Sequence, residues 1–350
     1  PTAREANARH LGFDGFKLEA TTKLTVDFSE RFSANVKVCY GCHGFEMDMA
    51  YFDYRVADAL SFRFGRFSPS FGSFNIRHDP ANHRLVDKPL PYDMGRMLRM
   101  RSWNLGVLPI PFPDNGVEIS GSVPLGETAT FDYALHAVSG FKAGDQPLDI
   151  DFTQSRAGNF YYVDNNGRPA IGGRALLTIR LDERSDVSVG ASTMYGTYDP
   201  QNQITYTIVG SDVSLRIVRT NVRLEYLARR QELDTSDPTR LRYVLVPNGD
   251  FFVKHGAYAE VEHPLTSVVD AVARVDGLLR SGNVPASTAT DPDGGLTDLS
   301  SIVRFTLGST ISLDRSLRLK ASGAYWRFSE LDAQGKDAAI SLHLGAVGSF

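Results

Sequence analysis

Leu317-Arg318-Leu319-Lys320-Ala321-Ser322-Gly323 alternates apolar with polar residues step by step. A period of two places the two sets on opposite faces of an extended strand, so this stretch is a strand with one dry and one wet face. Ser301-Ile302-Val303-Arg304-Phe305-Thr306-Leu307-Gly308-Ser309 repeats the pattern. Val269, Ala271, Ala273 and Val275 share one face, with Asp270, Arg274 and Asp276 on the other. Outward from these, the same alternation predicts strands near 15–29, 33–40, 44–56, 59–67, 114–125, 128–140, 170–182, 185–198, 204–218, 220–231, 250–263 and 336–350, fifteen in all. Helical periodicity is scarce.

The connections come in two kinds. Short turns fall at 29–32, 56–59, 125–128, 181–185 and 314–316. Long segments rich in Gly, Pro, Asp and Asn fall at 68–113, 141–169, 232–250 and 281–299, with a shorter one at 331–337. Tight turns at one end and long loops at the other describe an up-and-down antiparallel meander with unlike ends, the pattern of a transmembrane β-barrel. A soluble sandwich is the alternative, but its strands average about 5–6 residues. These segments run nearer the ~9–11 that cross a bilayer at a tilt. In the last one Ile340, Leu342, Leu344, Ala346, Gly348 and Phe350 share a face. A terminal strand ending in Phe resembles the sorting signal of bacterial outer-membrane proteins.

Composition agrees. The 350 residues are 42% hydrophobic and 11% aromatic, too apolar for a disordered chain. With 37 basic against 41 acidic residues the net charge of −4 carries no signature of nucleic-acid binding. No window reaches the ~18 apolar residues of a membrane helix. The start, Pro1-Thr2-Ala3-Arg4-Glu5, reads as a mature or trimmed terminus rather than a signal peptide. Residues 1–14 are then an N-terminal extension, and 15–350 one barrel.

Residues 45–72 narrow the class. Phe45-Glu46-Met47-Asp48-Met49-Ala50-Tyr51-Phe52-Asp53-Tyr54-Arg55, a tight turn, and Leu60-Ser61-Phe62-Arg63-Phe64-Gly65-Arg66-Phe67-Ser68-Pro69-Ser70-Phe71-Gly72 resemble the porin O/P group of phosphate-selective outer-membrane porins. The resemblance covers 15–75, and the rest by architecture. It implies about 16 strands, an outer-membrane location and a homotrimer. A sixteenth strand would lie upstream of Pro1 or between Met97 and Leu108.

Alternation turns Arg174, Arg180, Arg223, Arg274, Arg304, Arg318 and Lys320 toward the lumen, mixed with Glu225, Asp270 and Asp276. The segment 76–101 adds Arg77, Arg84, Lys88, Arg96, Arg99 and Arg101 against three acidic residues. A basic loop folded inward would narrow the barrel and attract small anions, because charges of one sign set pore selectivity. Arg174, Arg180, Arg223, Arg274 and Arg304 are the pore-lining candidates.

The only two cysteines fall in Cys39-Tyr40-Gly41-Cys42-His43. C-x-x-C-H is the covalent attachment motif of haem c. Two thiols add to the two vinyl groups, and the adjacent imidazole binds iron from one face. A zinc site would need two further ligands and has no second C-x-x-C; a disulfide leaves His43 unused. Cys39 and Cys42 are therefore the expected attachment residues, with His43 as proximal ligand. Chain direction puts this loop, 39–44, at the long-loop end, which is extracellular in barrels of this kind. Cys39 shares parity with the luminal set. His83 and His78 in loop 68–113 and His10 before the first strand are the expected distal candidates. Met47, Met49 and His136 have shorter reach, and His255, His263 and His343 belong to the wall.

The expectation is an outer-membrane porin-like barrel carrying one covalent haem c near its external mouth, part of an electron-transfer conduit. One haem cannot span ~30 Å of hydrocarbon, so a multihaem or other cytochrome partner is implied. Two other readings remain: a diffusion porin for small anions in which the haem only pins 39–44 to 68–113, and an outer-membrane anchor of an extracellular cytochrome assembly. No nucleophile triad, Walker loop or dinucleotide fingerprint points to an enzyme. Asp291-Pro292-Asp293-Gly294-Gly295 lacks the rest of an EF-hand and reads as a turn.

Overall fold

In a computed structural model the chain forms one antiparallel sheet of fifteen strands, each paired with its sequence neighbours. The structure describes residues 20–41, 44–93, 106–143, 150, 163–234, 243–244, 250–282, 284–285, 301–329 and 337–348. The strands are β1 Ala20–Asp27, β2 Phe32–Gly41, β3 Gly44–Ala57, β4 Leu60–Phe67, β5 Asp114–Leu125, β6 Ala129–Val138, β7 Ala170–Arg180 and β8 Asp186–Thr197. They continue as β9 Thr205–Ile217, β10 Thr220–Glu232, β11 Phe251–Pro264, β12 Val269–Gly282, β13 Ile302–Ser312, β14 Leu317–Phe328 and β15 Ala338–Gly348. A short ribbon pairs Tyr243–Val244 with Val284–Pro285. The fifteen predicted strands and these fifteen coincide. The first begins at Ala20, and 15–19 lie outside the described residues; of the stretch 97–108, which could hold a sixteenth strand, 97–105 lie outside them and 106–108 are not in a strand.

Side-chain oxygens close the tight turns. Ser29 Oγ accepts from the amides of Arg31 and Phe32, Thr266 Oγ1 from Val268 and Val269, and Asp314 Oδ1 from Ser316 and Leu317. Each satisfies amides that the ladder leaves unpaired, which is why Ser, Thr and Asp mark these positions.

The outer face is apolar. Leu24, Val117, Ile171, Val189, Leu224, Val275, Leu307, Leu342 and Leu344 are all exposed, Leu307 at 70% and Leu344 at 84%. The inner face carries Lys37, Glu118, Arg174, Asp212, Glu225, Arg274, Asp276, Arg304 and Lys320, all buried. A sheet that exposes its apolar face and buries its charges is inverted relative to a soluble protein, and lipid is the solvent that stabilises it. Leu307→Arg is expected to cost about 2–4 kcal/mol near the bilayer midplane, read as a lowered urea midpoint in lipid vesicles.

The two edges of the sheet are brought round to each other by one loop. Asp79 Oδ1 lies 2.7 Å from Lys37 Nζ on β2, and the next residue, Pro80, accepts from Lys320 Nζ on β14 at 2.5 Å. Two consecutive residues therefore touch the second strand and the second-to-last, and the sheet curls into a barrel around them. β1 and β15 both run toward the tight-turn end.

Alternation breaks once near the motif. Lys37 pairs with Met49 but Val38 with Met47, so β3 bulges at Asp48. The extra residue points inward, where its carboxylate meets Lys37 Nζ at 3.0 Å.

Candidate functional site: a loop inserted into a charged lumen

Between β4 and β5 the loop carries its described residues, 68–93 and 106–113, in the barrel interior. Its apolar residues Phe71, Phe74, Leu85, Leu90, Tyr92, Val107, Leu108, Ile110 and Phe112 are buried. Its polar backbone is held by the wall, which explains why so many luminal charges are buried without being lost to water.

Three clamps hold it. At the first, Glu225 on β10 accepts from the amides of Ser73 at 2.6 Å and Phe74 at 3.1 Å. It also accepts from the hydroxyls of Tyr92 and, at 2.8 Å, Tyr258. Gly72 sits beside it at φ +63°, and a Cβ there would run into the Tyr92 hydroxyl, so only glycine fits. At the second, Asp87 lies 2.6 Å from both Arg274 and Arg304. Asp276 closes the square, 3.0 Å from Arg274 Nε and 2.8 Å from Arg304 Nε, and accepts from the Leu90 amide at 3.1 Å. All four side chains are essentially fully buried, and the Arg304 guanidinium stacks 4.7 Å over Trp326. Two carboxylates and two guanidiniums leave no net charge, the condition for keeping four ions out of water. At the third, Arg84 meets Glu262 at 3.0 Å and Asp270 at 3.2 Å, while Arg318 and Lys320 donate to the carbonyls of Ala81 and Pro80.

Four of the five predicted pore-lining arginines are thus paired. Arg174 holds Asp212 bidentately, at 2.6 and 2.9 Å, and Arg223 meets Glu260 and Glu262. Arg274 and Arg304 form the square above. Arg180 is exposed at the tight-turn end. Arg77, Arg84 and Lys88 belong to the inserted loop; Arg96, Arg99 and Arg101 lie outside the described residues. Glu118, Asp212, Glu260, Asp87, Tyr92 and Tyr258, which complete the site, were not among the predicted residues. Strand parity points Glu118, Asp212 and Glu260 inward, but nothing local marks Asp87.

The C-x-x-C-H segment lies at the long-loop rim. Gly41 pairs with Gly44, so the expected loop 39–44 narrows to a connection at 42–43 between β2 and β3. Cys42 and His43 lie outside the described residues, as does His10. Cys39 shares its face with the buried Asn35 and Lys37, and its sulfur is 3.4 Å from Thr21 Oγ1. The register therefore puts Cys39 at this rim, turned inward. Its sulfur is placed to carry a group at the mouth. His78 stands against the same strand: its Nε2 is 3.3 Å from Lys37 Nζ and its Nδ1 2.6 Å from the Asn75 carbonyl oxygen. His83 is buried, packed 5.5 Å from the Phe74 ring, with neither ring nitrogen hydrogen-bonded.

Burial, then the Lys37 ammonium, pushes the His78 imidazole down to about 4. Burial, then Lys320 and Lys88, pushes His83 well below its usual value. Both favour the inserted loop only while neutral. Their contribution is complete above the unfolded value of about 6.5 and is lost as pH falls from there through their depressed folded values. For Asp87, burial acts upward but Arg304 and Arg274 outweigh it and hold the carboxyl below its usual range, so that clamp outlasts the histidines. Protease sensitivity of 68–93 is expected to rise as pH drops from 6.5 toward 4, and His78→Gln with His83→Gln to flatten that rise.

No family model matches the chain, and no curated protein is significantly similar to it. Solved barrels match over nearly its whole length. OmpT, an outer membrane protein of Vibrio cholerae, is similar at TM-score 0.51 and 9% identity, over 95% of this chain and 89% of that one. An anion-selective porin from Comamonas acidovorans gives 0.51 and 12%, over 95% and 89%. The outer membrane channel DcaP of Acinetobacter baumannii gives 0.52 and 11%, over 95% and 84%. At such identities the likeness establishes the fold, a porin-type antiparallel barrel.

Proposed function

We propose that this chain is a bacterial outer-membrane porin-like channel, constricted by its own loop 68–113 and carrying one haem c on Cys39 and Cys42 with His43 as proximal ligand. The observation that carries the channel reading is the pairing of an apolar outer wall with a charged interior built around an inserted loop. The haem reading rests on the C-x-x-C-H spacing and is supported by the rim position and inward parity of Cys39.

Bound haem would supply reversible one-electron transfer. The chain's own residues would do the rest. Cys39 and Cys42 would hold the group, and His43 would supply an imidazole to it. His78 is the candidate for a second imidazole, set against the Cys39-bearing strand, where Lys37 and Asn75 fix its ring. Ligation would require Nε2 to leave Lys37; His83 would instead offer an uncommitted ring from deeper in the lumen. A conduit to the periplasm needs cytochrome partners, since one rim haem leaves the hydrocarbon layer uncrossed. Trimer formation rests on the resemblance of residues 45–72 alone. A purely anion-selective porin with a structural haem is the second reading, and the pairing of Arg174, Arg223, Arg274 and Arg304 with carboxylates weighs against it.

Fractionation and planar-bilayer recording test the proposal. A haem-staining band in the outer-membrane fraction and small ion-conducting steps from the purified protein are the expected results. A soluble or haem-free chain would overturn it.

A further inference from the structure

We infer that water and small solutes pass the inserted loop along one side of the barrel, the side formed by β15 and β1; this rests on the channel reading above. On β10 to β14 the inward residues Glu225, Arg274, Asp276, Arg304, Thr306 and Thr310 are all buried under the loop. On β1 every residue is exposed, on both faces. Its inward set is fixed by contact: Thr21 meets Cys39, and Thr25 Oγ1 donates to Asn35 Oδ1 at 2.8 Å. Lys23 lies between them with the same parity. On β15 no described residue is fully covered, and Ser341 and His343 face inward, 2.9 Å apart, with Ser341 accepting from the buried Trp326 indole. The loop meets this strand at Gly345, against which Val86 packs, and Asp87 lies within electrostatic reach of His343.

The route is therefore lined by hydroxyls, Lys23, Asp27 and one imidazole, a surface of mixed charge for small hydrophilic solutes. Thr21 at its outer end touches Cys39, so any group carried on Cys39 stands at the entrance. That gives the rim cysteine a second consequence: it controls access to the passage.

The test uses single cysteines in a Cys39→Ser, Cys42→Ser background, with a charged, membrane-impermeant methanethiosulfonate as probe. Thr25→Cys and His343→Cys are expected to label completely in the folded barrel, and labelling should cut conductance. Thr306→Cys, beneath the loop, is expected to stay unlabelled until the protein is unfolded. Equal labelling of Thr306→Cys and Thr25→Cys, or conductance unchanged after Thr25→Cys is modified, would overturn the route. Absence of any conductance in the parent would instead defeat the channel reading. The labelling pattern, read by mass, would still decide which side of the barrel is wet.

Discussion

Asp87→Ala is expected to open the channel while leaving the barrel folded. Asp87 belongs to the loop, and its carboxylate is the loop's half of a buried square whose other members, Arg274, Asp276 and Arg304, belong to the wall. Removing one partner from a buried ionic cluster costs about 3–5 kcal/mol, because the charges left behind are neither paired nor hydrated. That raises the population of the unclamped loop roughly a hundred- to several-thousand-fold. The wall strands keep their ladders, so heat-resistant barrel mobility should persist while single-channel conductance rises and loop 68–113 becomes open to protease. Unchanged conductance would mean that the loop does not constrict the pore.

Cys39→Ser with Cys42→Ser is expected to abolish covalent haem attachment, and Cys42→Ser alone to weaken it. A single thioether from Cys39 leaves the group tied at one corner, and the imidazole of His43 would then have to hold it without the second tether. Covalent haem stain on a denaturing gel should fall in Cys42→Ser and disappear in the double variant, with the barrel still inserted, because 42–43 lies beyond the last paired residues, Gly41 and Gly44. His43→Ala should keep some attachment and change the axial-ligand spectrum. Retention of full haem stain in Cys42→Ser would show that the motif is not the attachment site.

The wall was readable because lipid outside and water inside impose opposite demands on successive residues. In β12, Val275 faces out while Arg274 and Asp276 face in, and the bare alternation of 269–276 already states this. Ends were less readable. Cys39 and Tyr40 continue the strand pattern, and only the pairing of Gly41 with Gly44 shows that the hairpin closes at 42–43 rather than across 39–44. Turns at 218–219 and 265–268 lack a glycine or proline to announce them. The site itself was half legible. Parity identified Arg274 and Arg304 as inward cations, but their neutralisation depends on Asp87, which is 187 residues from Arg274 along the chain. No periodicity within 68–113 records that contact. For the same reason Glu225 could be placed inward without any hint that its donors include the Ser73 and Phe74 amides.

The protein proposed here is a haem-bearing channel in the outer membrane. An intact-mass measurement on the chain extracted by detergent from that membrane tests it most directly. A mass above the polypeptide by one haem, retained under denaturing conditions, is the predicted result. The bare polypeptide mass, or recovery of the chain only from aqueous fractions, would contradict it.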